Sequence, residues 1–508
     1  MKKIAIIGAG LSGLATAYKL IQNHHKGPIL VIESGKENFS FTKQRLNKQS
    51  NFTNQKHKKQ LQEEFIVNQW EGDRHYLDRL RFRRIGGSAN YWGSESLIAQ
   101  KRDLERVSPY GSWPITYEEL YLYYEEVANN FGFKMDLFKE QFISNNLTLS
   151  YWQYLENIQY IKEKILLTLN KSSNVKLLKN TTLIEFVGNT KSVTKIIVNS
   201  EISDHEEIEV DILILAAGAI ENASLLLNSQ YIKTTVNAVT FDNIGRFFSE
   251  LPHGYIASLY CSNYKMVDSL LYDRALDQFT QGCFRIDSQK INHSIHVPSS
   301  IAIKKVLLPE FDYMLYARNI FRKVLLKDID IKIIKDAFKF IKAYLNSIFN
   351  KKRYAYKLWI LCAPSISNIN RVMLEPDSNA IGQKRVRVHW ESIDNLQKTI
   401  LENINALSEL STLLSINKIE PNPQIFDNES ISSLNGGAHH LCTTRMSTDK
   451  KFSVVDKNCK LNELENLYLT GSSVFSNSFP ANSTFTSIAL SFRLADHIKS
   501  IEKLNSSL

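Results

Sequence analysis

Three glycines near the N-terminus, Gly8, Gly10 and Gly13, have the spacing of a phosphate-binding turn. Gly8 permits a tight turn after a strand, Gly10 lets the backbone approach a pyrophosphate, and Gly13 allows the next helix to pack against that strand. The backbone amides of Leu11 and Ser12, at the start of the helix, would then bind the negative phosphates. The chemistry that this pattern predicts is binding of a nucleotide.

The elements around the turn are those that would position it. Ile4–Ile7 is a short apolar run of the type buried on both faces, and residues 14–21 repeat apolar side chains at helical spacing. A second run, Ile29–Ile32, ends at Glu33, which lies 20 residues after Gly13, where a carboxylate can accept hydrogen bonds from ribose hydroxyls. This order predicts a nucleotide-binding domain, with a purely structural turn as the alternative. An acid at position 33 argues against a 2′-phosphate, so FAD or NAD is preferred to NADP.

Composition and charge narrow the class of protein. The 508 residues are 43% apolar and 22% charged, as expected for a folded chain of about three domain-sized units. The net charge of +10 is dispersed, and no nucleic-acid-binding module is recognisable. Five cysteines without paired spacing disfavour a disulfide framework or a zinc site, so we predict no metal and expect a reducing, cytoplasmic location. The N-terminus and the hydropathy pattern predict neither a signal peptide nor a membrane span.

Apolar periodicity predicts further elements along the chain. Residues 113–127 are predicted to be helical, with Thr116 as the N-cap and Glu119 completing a capping box. Residues 36–75 are polar and predict a long surface excursion, whereas residues 320–349 predict a long, amphipathic, lysine-rich helix. The other predicted elements are strands within 175–198 and at 210–215, 386–390 and 467–469, and helices at 221–227, 399–414 and from about 483 to 501.

Six stretches between residues 4 and 498 together resemble one family. They are the N-terminal glycine turn with Glu33, the glycine loop 84–93, the segment 113–124, residues 215–221, Asn370-Arg371-Val372 with Leu374, Asp377 and Gly382, and the segment from His439 to His497. In sequence and order they are similar to the glucose–methanol–choline (GMC) oxidoreductases, FAD-dependent enzymes that oxidise alcohols. The glycine loop and the segment 439–446 are most similar to the bacterial, sugar-oxidising branch of that family.

The resemblance implies a fold and a domain organisation. It implies an α/β fold, with a Rossmann-like FAD-binding domain interleaved with an α+β substrate domain built on an antiparallel sheet. The FAD-binding domain would comprise residues 1–125, 165–250 and 435–508. The substrate domain would comprise residues 126–164 and 251–434, with a lysine-rich helical insertion at about 320–350.

The resemblance also implies two catalytic positions. His439 matches the catalytic histidine of the family, and Asn482 matches the second position, which the family fills with His or Asn. Alcohol oxidation needs a base for the hydroxyl proton, and a histidine titrates near neutral pH whereas an amide does not. We therefore predict that His439 is the base and that Asn482 orients the substrate oxygen. A buried structural histidine and a helix N-cap are the alternatives.

The cofactor contacts are implied in the same way. No histidine occurs in the glycine loop, where some members attach FAD covalently, and Tyr91 stands there instead, so we predict noncovalent FAD. Two positions depart from the family pattern, because Cys442 stands where members usually have Gly and Ser483 where many have Pro. The predicted contacts to FAD, beyond the N-terminal turn, are Gly86, Gly87, Ser88, Asn90, Gly218, Gly471, Ser472, Thr484 and Phe485.

The predicted activity is oxidation of a CH–OH group of a sugar, polyol or glycosylated metabolite, by hydride transfer to FAD. A flavin-dependent lyase or decarboxylase on the same scaffold, an oxidase of a non-sugar alcohol and a non-enzymatic flavoprotein are the alternatives. The electron acceptor is left open between oxygen, a quinone and a redox protein. For the helix at 320–349, a solvated lysine face over an apolar stripe is favoured over contact with a membrane surface.

Overall fold

A computed structural model defines the architecture of the chain. It describes residues 1–40, 51–52, 81–144, 147–201, 203–262, 265, 267–268, 279–286, 297–308, 313–314, 316–317, 320, 331–349, 354–390, 396–411, 414–423, 435–436 and 439–506. Most of the surface excursion predicted at 36–75, and residues 321–330 of the predicted lysine-rich helix, lie outside the described residues.

The described strands and helices are numbered in chain order. The strands are β1 (Ile4–Ile7), β2 (Ile29–Ile32), β3 (Asn51–Phe52), β4 (Gln141–Phe142), β5 (Leu147–Tyr154), β6 (Val175–Leu178), β7 (Thr182–Gly188), β8 (Val193–Asn199), β9 (Glu206–Glu209), β10 (Ile212–Leu215), β11 (Pro252–Cys261), β12 (Phe279–Ile286), β13 (Ser299–Leu307), β14 (Tyr354–Cys362), β15 (Arg371–Ser378), β16 (Lys384–His389), β17 (Ile416–Pro421), β18 (Asn435–Gly436) and β19 (Leu467–Leu469). The helices are α1 (Leu11–Gln22), α2 (Lys101–Leu104), α3 (Tyr117–Phe131), α4 (Met135–Phe138), α5 (Tyr160–Lys171), α6 (Ala219–Asn228), α7 (Gln230–Thr235), α8 (Ala238–Asn243), α9 (Ile331–Phe349), α10 (Leu396–Ser408) and α11 (Ser483–Ser506).

A five-stranded sheet holds the two ends of the chain together. Its order is β19-β10-β1-β2-β6, and the four strand pairs are all parallel. β1 and β10 are buried along their whole length, which explains why their sequences are continuous apolar runs without alternation. The chain leaves β1 towards β2 on one side and returns on the other through β10, so the carboxyl ends of β1 and β10 form the crevice where such sheets bind ligands.

A second, larger sheet is antiparallel and has two chemically different faces. The order along its main path is β17-β11-β14-β13-β12-β5-β4. Because side chains alternate along a strand, one face carries Leu147, Ile303 and Leu358, which pack in one cluster with Ile400 of α10. The opposite face carries the polar and aromatic side chains described below.

These sheets confirm the predicted fold class, a mixed α/β fold with several sheets. Two smaller sheets, β15-β16-β3 and β7-β8-β9, complete the set of described strands. The domain limits stay a prediction. Helices α3 and α5 are continuous across residues 125 and 164, so a boundary at either position would fall inside a helix.

The helix predicted at 113–127 is shifted towards the C-terminus. Thr116 is the N-cap, as predicted, and its side chain accepts a hydrogen bond of 3.1 Å from the Glu119 amide. The carboxylate of Glu119 accepts a 2.7 Å hydrogen bond from Arg493 of α11, so the predicted capping box is replaced by a contact between two helices. α3 begins at Tyr117 and ends at Phe131, before Gly132 in the left-handed conformation (φ 82°).

Candidate active site

The N-terminal glycine turn has the geometry that its sequence predicts. Gly8 has φ 103°, and a Cβ there would lie 2.7 Å from the carbonyl oxygen of Ala216. A Cβ on Gly13 would lie 2.0 Å from the carbonyl oxygen of Gly8, so helix and turn touch directly. A Cβ on Gly10 would meet no atom closer than 4.0 Å, which leaves open space above this backbone. Gly8 and Gly13 are therefore required for packing, and Gly10 borders open space.

Three other glycine loops surround this space. The Gly86 amide donates a 2.7 Å hydrogen bond to the carbonyl of Ala9, and a Cβ on Gly87 would lie 3.3 Å from the Cα of Gly10. A Cβ on Gly471, which has φ 92°, would lie 3.1 Å from the hydroxyl of Ser12. Gly218, with φ 87°, precedes α6 and has no atom within 4 Å of a Cβ.

These loops form a cradle of glycine backbone whose open space, above Gly10 and Gly218, suits a dinucleotide. It lies at the carboxyl ends of β1, β10 and β19, with the N-termini of α1 and α6 pointing into it. Amides of Leu11 and Ser12 would hold the pyrophosphate, and Gly10 and Gly218 would leave room for it. FAD bound in this cradle would supply a hydride acceptor.

Glu33 lies at the end of β2 beside the cradle. Its carboxylate accepts hydrogen bonds from the amides of Ala9 (3.0 Å) and Gly35 (2.9 Å). Burial raises the pKa of Glu33, and the two amides and the nearby Arg83 oppose this rise. Because each carboxylate oxygen accepts more than one hydrogen bond, these contacts leave acceptor capacity for ribose hydroxyls.

Two arginines that our sequence analysis did not single out border the cradle. Arg83 donates to the Ser34 hydroxyl (3.2 Å) and to Glu221 of α6 (2.9 Å), and Arg81 also pairs with Glu221. Burial disfavours charge on Glu221, but the two arginines outweigh it and hold its pKa below the usual value. This cluster joins the end of β2 to the start of α6.

The side chain of Asn90 forms hydrogen bonds within its own glycine loop. Its amide nitrogen donates to the carbonyls of Ile85 (2.9 Å) and Gly87 (2.8 Å), and its oxygen accepts from Lys162 (2.9 Å). Asn90 therefore holds the glycine loop in shape, while Ser88 in the same loop is exposed. At the C-terminal side, Thr484 and Phe485 lie in the first turn of α11, and the Phe485 ring is buried against Phe133 and Phe138.

His439 and Asn482 lie side by side although 43 residues separate them. The distance between His439 Nε2 and Asn482 Nδ2 is 3.3 Å. Asn482 directly precedes α11, the position of an N-cap, but its side chain points to other partners: Asn482 Oδ1 accepts a 3.0 Å hydrogen bond from the indole of Trp152 on β5. The antiparallel sheet and the start of α11 thus meet at this amide.

The Trp152 contact determines how the pair is protonated. An indole N–H only donates, so the Asn482 atom facing Trp152 is the oxygen and the atom facing His439 is the amide nitrogen. An amide nitrogen also only donates, so His439 Nε2 is the acceptor and carries a lone pair. The proton of a neutral His439 ring then resides on Nδ1.

Glu250 fixes the backbone that carries His439, a role that sequence reasoning missed. The carboxylate of Glu250 accepts a 2.7 Å hydrogen bond from the His439 amide and lies 3.4 Å from His440 Nε2. Glu250 is 2% exposed. Burial, with the positive charge of Arg81, lowers the pKa of His440 to about 3 and keeps its ring neutral.

The segment after His440 runs along the loop that follows β19. Amides of Cys442, Thr444 and Met446 donate in turn to the carbonyls of residues 472–474, at 2.9 to 3.1 Å. Ser472 returns a hydrogen bond of 2.7 Å from its hydroxyl to the His440 carbonyl. This pairing explains how one loop can both face the cradle, through residues 471–472, and position His439.

Aromatic side chains of the antiparallel sheet border the pair. Trp152 packs edge-to-face on Trp359 of β14, with ring centroids 5.9 Å apart, and His253 of β11 lies 5.2 Å from Trp359. Burial, and the neighbouring His439 and Lys304, lower the pKa of His253 to about 4, against the opposing effect of Glu95.

Charged and polar groups extend this surface. Lys304 lies 4.1 Å above the Trp359 ring and 3.1 Å from the Glu95 carboxylate, which also accepts a 2.7 Å hydrogen bond from the Tyr154 hydroxyl. Gln281 Oε1 lies 3.2 Å from the same hydroxyl. We call Glu95, Tyr154, Gln281, Lys304 and Trp359 the polar cluster. None of these side chains was identified from the sequence, because each lies on a different strand or loop.

Comparisons with known structures agree with this architecture. Solved structures similar to the whole chain include pyridoxine 4-oxidase from Mesorbium loti (TM-score 0.53, 13% identity, covering 98% of this chain and 99% of the other). A formate oxidase variant from Aspergillus oryzae, studied for FAD modification, has TM-score 0.57 at 12% identity, covering 99% and 98%. A fungal aryl-alcohol oxidase has TM-score 0.54 at 12% identity, covering 99% of both chains. At this identity the likeness concerns the fold alone.

Sequence comparison adds a family for one segment. Residues 366–491 match the family described as GMC oxidoreductase. This segment contains His439 and Asn482, and it is similar to the C-terminal part of that family. No protein of curated function matches the chain in sequence.

Proposed function

We propose that the chain is an FAD-dependent oxidoreductase of GMC type that oxidises a CH–OH group of a sugar, polyol or glycosylated metabolite. The observation that carries the proposal is the 3.3 Å contact between His439 and Asn482, next to a dinucleotide cradle. The family match of residues 366–491 and the oxidase fold support it. The lyase or decarboxylase alternative could use the same cradle and the same base, and it is separated from alcohol oxidation by whether the substrate reduces the flavin.

In the proposed reaction, His439 takes the hydroxyl proton. Its Nε2 carries the lone pair, so a substrate hydroxyl placed between His439 and Asn482 can donate to Nε2 and accept from the amide of Asn482. Asn482 remains oriented because Trp152 binds its oxygen. A base of this kind accelerates a reaction by about 10²- to 10⁴-fold.

A sugar or polyol suits the polar cluster better than a purely apolar alcohol. Lys304 and Glu95 place a donor and an acceptor beside Trp359, and substrates with several hydroxyls require such groups. Specific recognition of hydroxyls comes from polar groups that would be left unpaired by an analogue lacking them.

The experiment that tests the proposal is anaerobic mixing of the FAD-loaded protein with sugars, polyols, aryl alcohols and simple aliphatic alcohols. The flavin absorbance at about 450 nm is followed, since it belongs to the cofactor itself. Bleaching by a sugar or polyol supports the proposal, and bleaching by aryl alcohols alone would replace its substrate class. A colourless protein that cannot be reconstituted with FAD would refute it.

A variant tests the base. His439→Ala should slow bleaching by at least about 10²-fold while FAD content stays that of the parent, because His439 lies outside the glycine cradle. Acid precipitation tests the mode of attachment: FAD should be released into the supernatant, as expected for noncovalent binding. If His439→Ala bleaches at the parent rate, the base is another group.

A further inference from the structure

Helix α9 presents its apolar side to solvent. It is inserted between β13 and β14, the hairpin that carries Lys304 and Trp359. In a surface helix of a folded domain the apolar stripe normally faces the core. On α9 the side chains that recur three and four residues apart on one face are exposed: Ile334 55%, Phe338 70%, Ile341 53%, Leu345 46% and Ile348 54%.

The orientation of α9 is set by its other face. Ala343 is 1% exposed, and Phe340 packs edge-to-face on Tyr313 with ring centroids 6.1 Å apart. Ala343 and Phe340 thus face the protein, whereas the five apolar side chains of the exposed stripe face outwards. The apolar stripe is about 100° wide and runs along a helix of about 28 Å.

Positive charge borders this stripe. Lys335, Lys339 and Lys342 are exposed and follow the same three- and four-residue spacing along one edge of it. The acidic residue of α9, Asp336, lies on the half-buried side instead. An apolar stripe edged by lysines has the pattern of a helix that lies in a membrane interface.

We propose that α9 docks this protein on an anionic lipid surface, with the apolar stripe in the boundary of the acyl chains and the three lysines at the phosphate level. A second copy of the chain fits less well, because a twofold contact through this face would bring its lysine row close to the lysine row of the partner. Anionic lipids instead compensate the charge. Among the described residues no helix could cross a bilayer, so docking would be peripheral.

The test is sedimentation of the FAD-loaded protein with vesicles of phosphatidylcholine alone or mixed with phosphatidylglycerol. Binding should require phosphatidylglycerol and weaken with salt. Each of Lys335→Gln, Lys339→Gln and Lys342→Gln should weaken it by up to about fivefold. Phe338→Glu combined with Ile341→Glu should abolish it.

Leu122→Glu and Leu167→Glu are matched controls, since these leucines are 64% and 62% exposed on α3 and α5. They should bind vesicles like the parent. Equal vesicle binding by parent and Phe338→Glu/Ile341→Glu, or no binding by the parent, would overturn the proposal. A parent dimer that this double variant separates would also overturn it and assign the face to a second copy. Flavin bleaching is a separate readout, so failure here leaves the proposed function untouched.

Discussion

At the scale of single residues, Cys442 has a backbone conformation that suits glycine. Its φ is 68°, and its side chain is completely buried three residues after His439. A left-handed conformation costs a non-glycine residue about 1–2 kcal/mol. The resemblance to GMC enzymes places Gly at this position, and the geometry shows why: the backbone keeps the shape that a glycine would adopt.

We expect Cys442→Gly to be more stable than Cys442→Ala by about 1 kcal/mol. Both variants remove the buried sulfur, but only glycine relieves the backbone. Thermal or urea unfolding of both variants measures the difference.

Cys283, buried in β12 without a positive φ, is the matched control. There the order should reverse, with Cys283→Ala more stable than Cys283→Gly by about 0.5–1 kcal/mol. The same order at both positions would show that Cys442 is not strained.

Trp152 is a positioning residue, because it acts on the reaction through Asn482. We expect Trp152→Phe to slow flavin bleaching by about tenfold or more, since the Asn482 amide is then free to turn its oxygen towards His439. The pH profile of bleaching should shift as well, because the amide no longer donates to His439 Nε2 in a fixed orientation.

Trp113 provides an equivalent contact elsewhere. Its indole donates a 2.8 Å hydrogen bond to Asn477 Oδ1, and both groups are buried. Trp113→Phe and Trp152→Phe should each lower the free energy of unfolding by about 1–3 kcal/mol, but only the second should change bleaching. Equal effects on bleaching would mean that Trp152 has a merely structural role.

At the scale of elements, a buried ion pair joins α2 to the antiparallel sheet. Arg285 of β12 donates to both carboxylate oxygens of Asp103, at 2.6 and 2.9 Å, and Asp103 also accepts from the Gln100 amide. Burial opposes the charge of Asp103, but Arg285 outweighs it and holds the pKa of Asp103 below its usual value.

Asp103→Asn should therefore destabilise the protein by about 3–5 kcal/mol, because Arg285 keeps its charge and loses its partner. Glu118→Gln is the control, since Glu118 pairs with Lys101 at 2.7 Å on the exposed surface. The unfolding midpoint of Glu118→Gln should equal that of the parent. A small effect of Asp103→Asn would show that solvent or Glu140, 3.3 Å from Arg285, replaces the lost charge.

At the scale of the whole molecule, folding buries two histidines that the unfolded chain exposes. The pKa values of His253 and His440 are lowered to about 4 and about 3, chiefly by burial. Their unfolded counterparts take up protons below about pH 6.5. Between these values the unfolded state binds more protons than the folded state, so stability falls as the pH falls.

We expect the free energy of unfolding to decrease from pH 6.5 towards pH 4, and His253→Gln to reduce the slope by up to about 1.4 kcal/mol per pH unit. Urea midpoints measured at several pH values test this. His205→Gln, at an exposed position, is the control and should leave the slope as it is. A parent-like slope in His253→Gln would mean that His253 is protonated in the folded protein.

The sequence alone determined those features that depend on neighbours along the chain. Ile4–Ile7, the glycine turn and Ile29–Ile32 form as predicted, because strand, turn and helix are specified within about thirty residues. The Thr116 cap is equally local. The resemblance to the GMC family made His439 and Asn482 candidates for catalytic residues, and their catalytic roles stay predictions.

Only the tertiary structure decided what surrounds those candidates. Trp152 reaches Asn482 across 330 positions of the chain, and Glu250 reaches His439 across 189. Such contacts leave no periodicity or spacing in the sequence, since they join residues that are far apart along the chain and meet only when the molecule folds. The outward face of α9 is of the same kind: an amphipathic pattern states that a helix has two sides, but packing decides which side meets solvent.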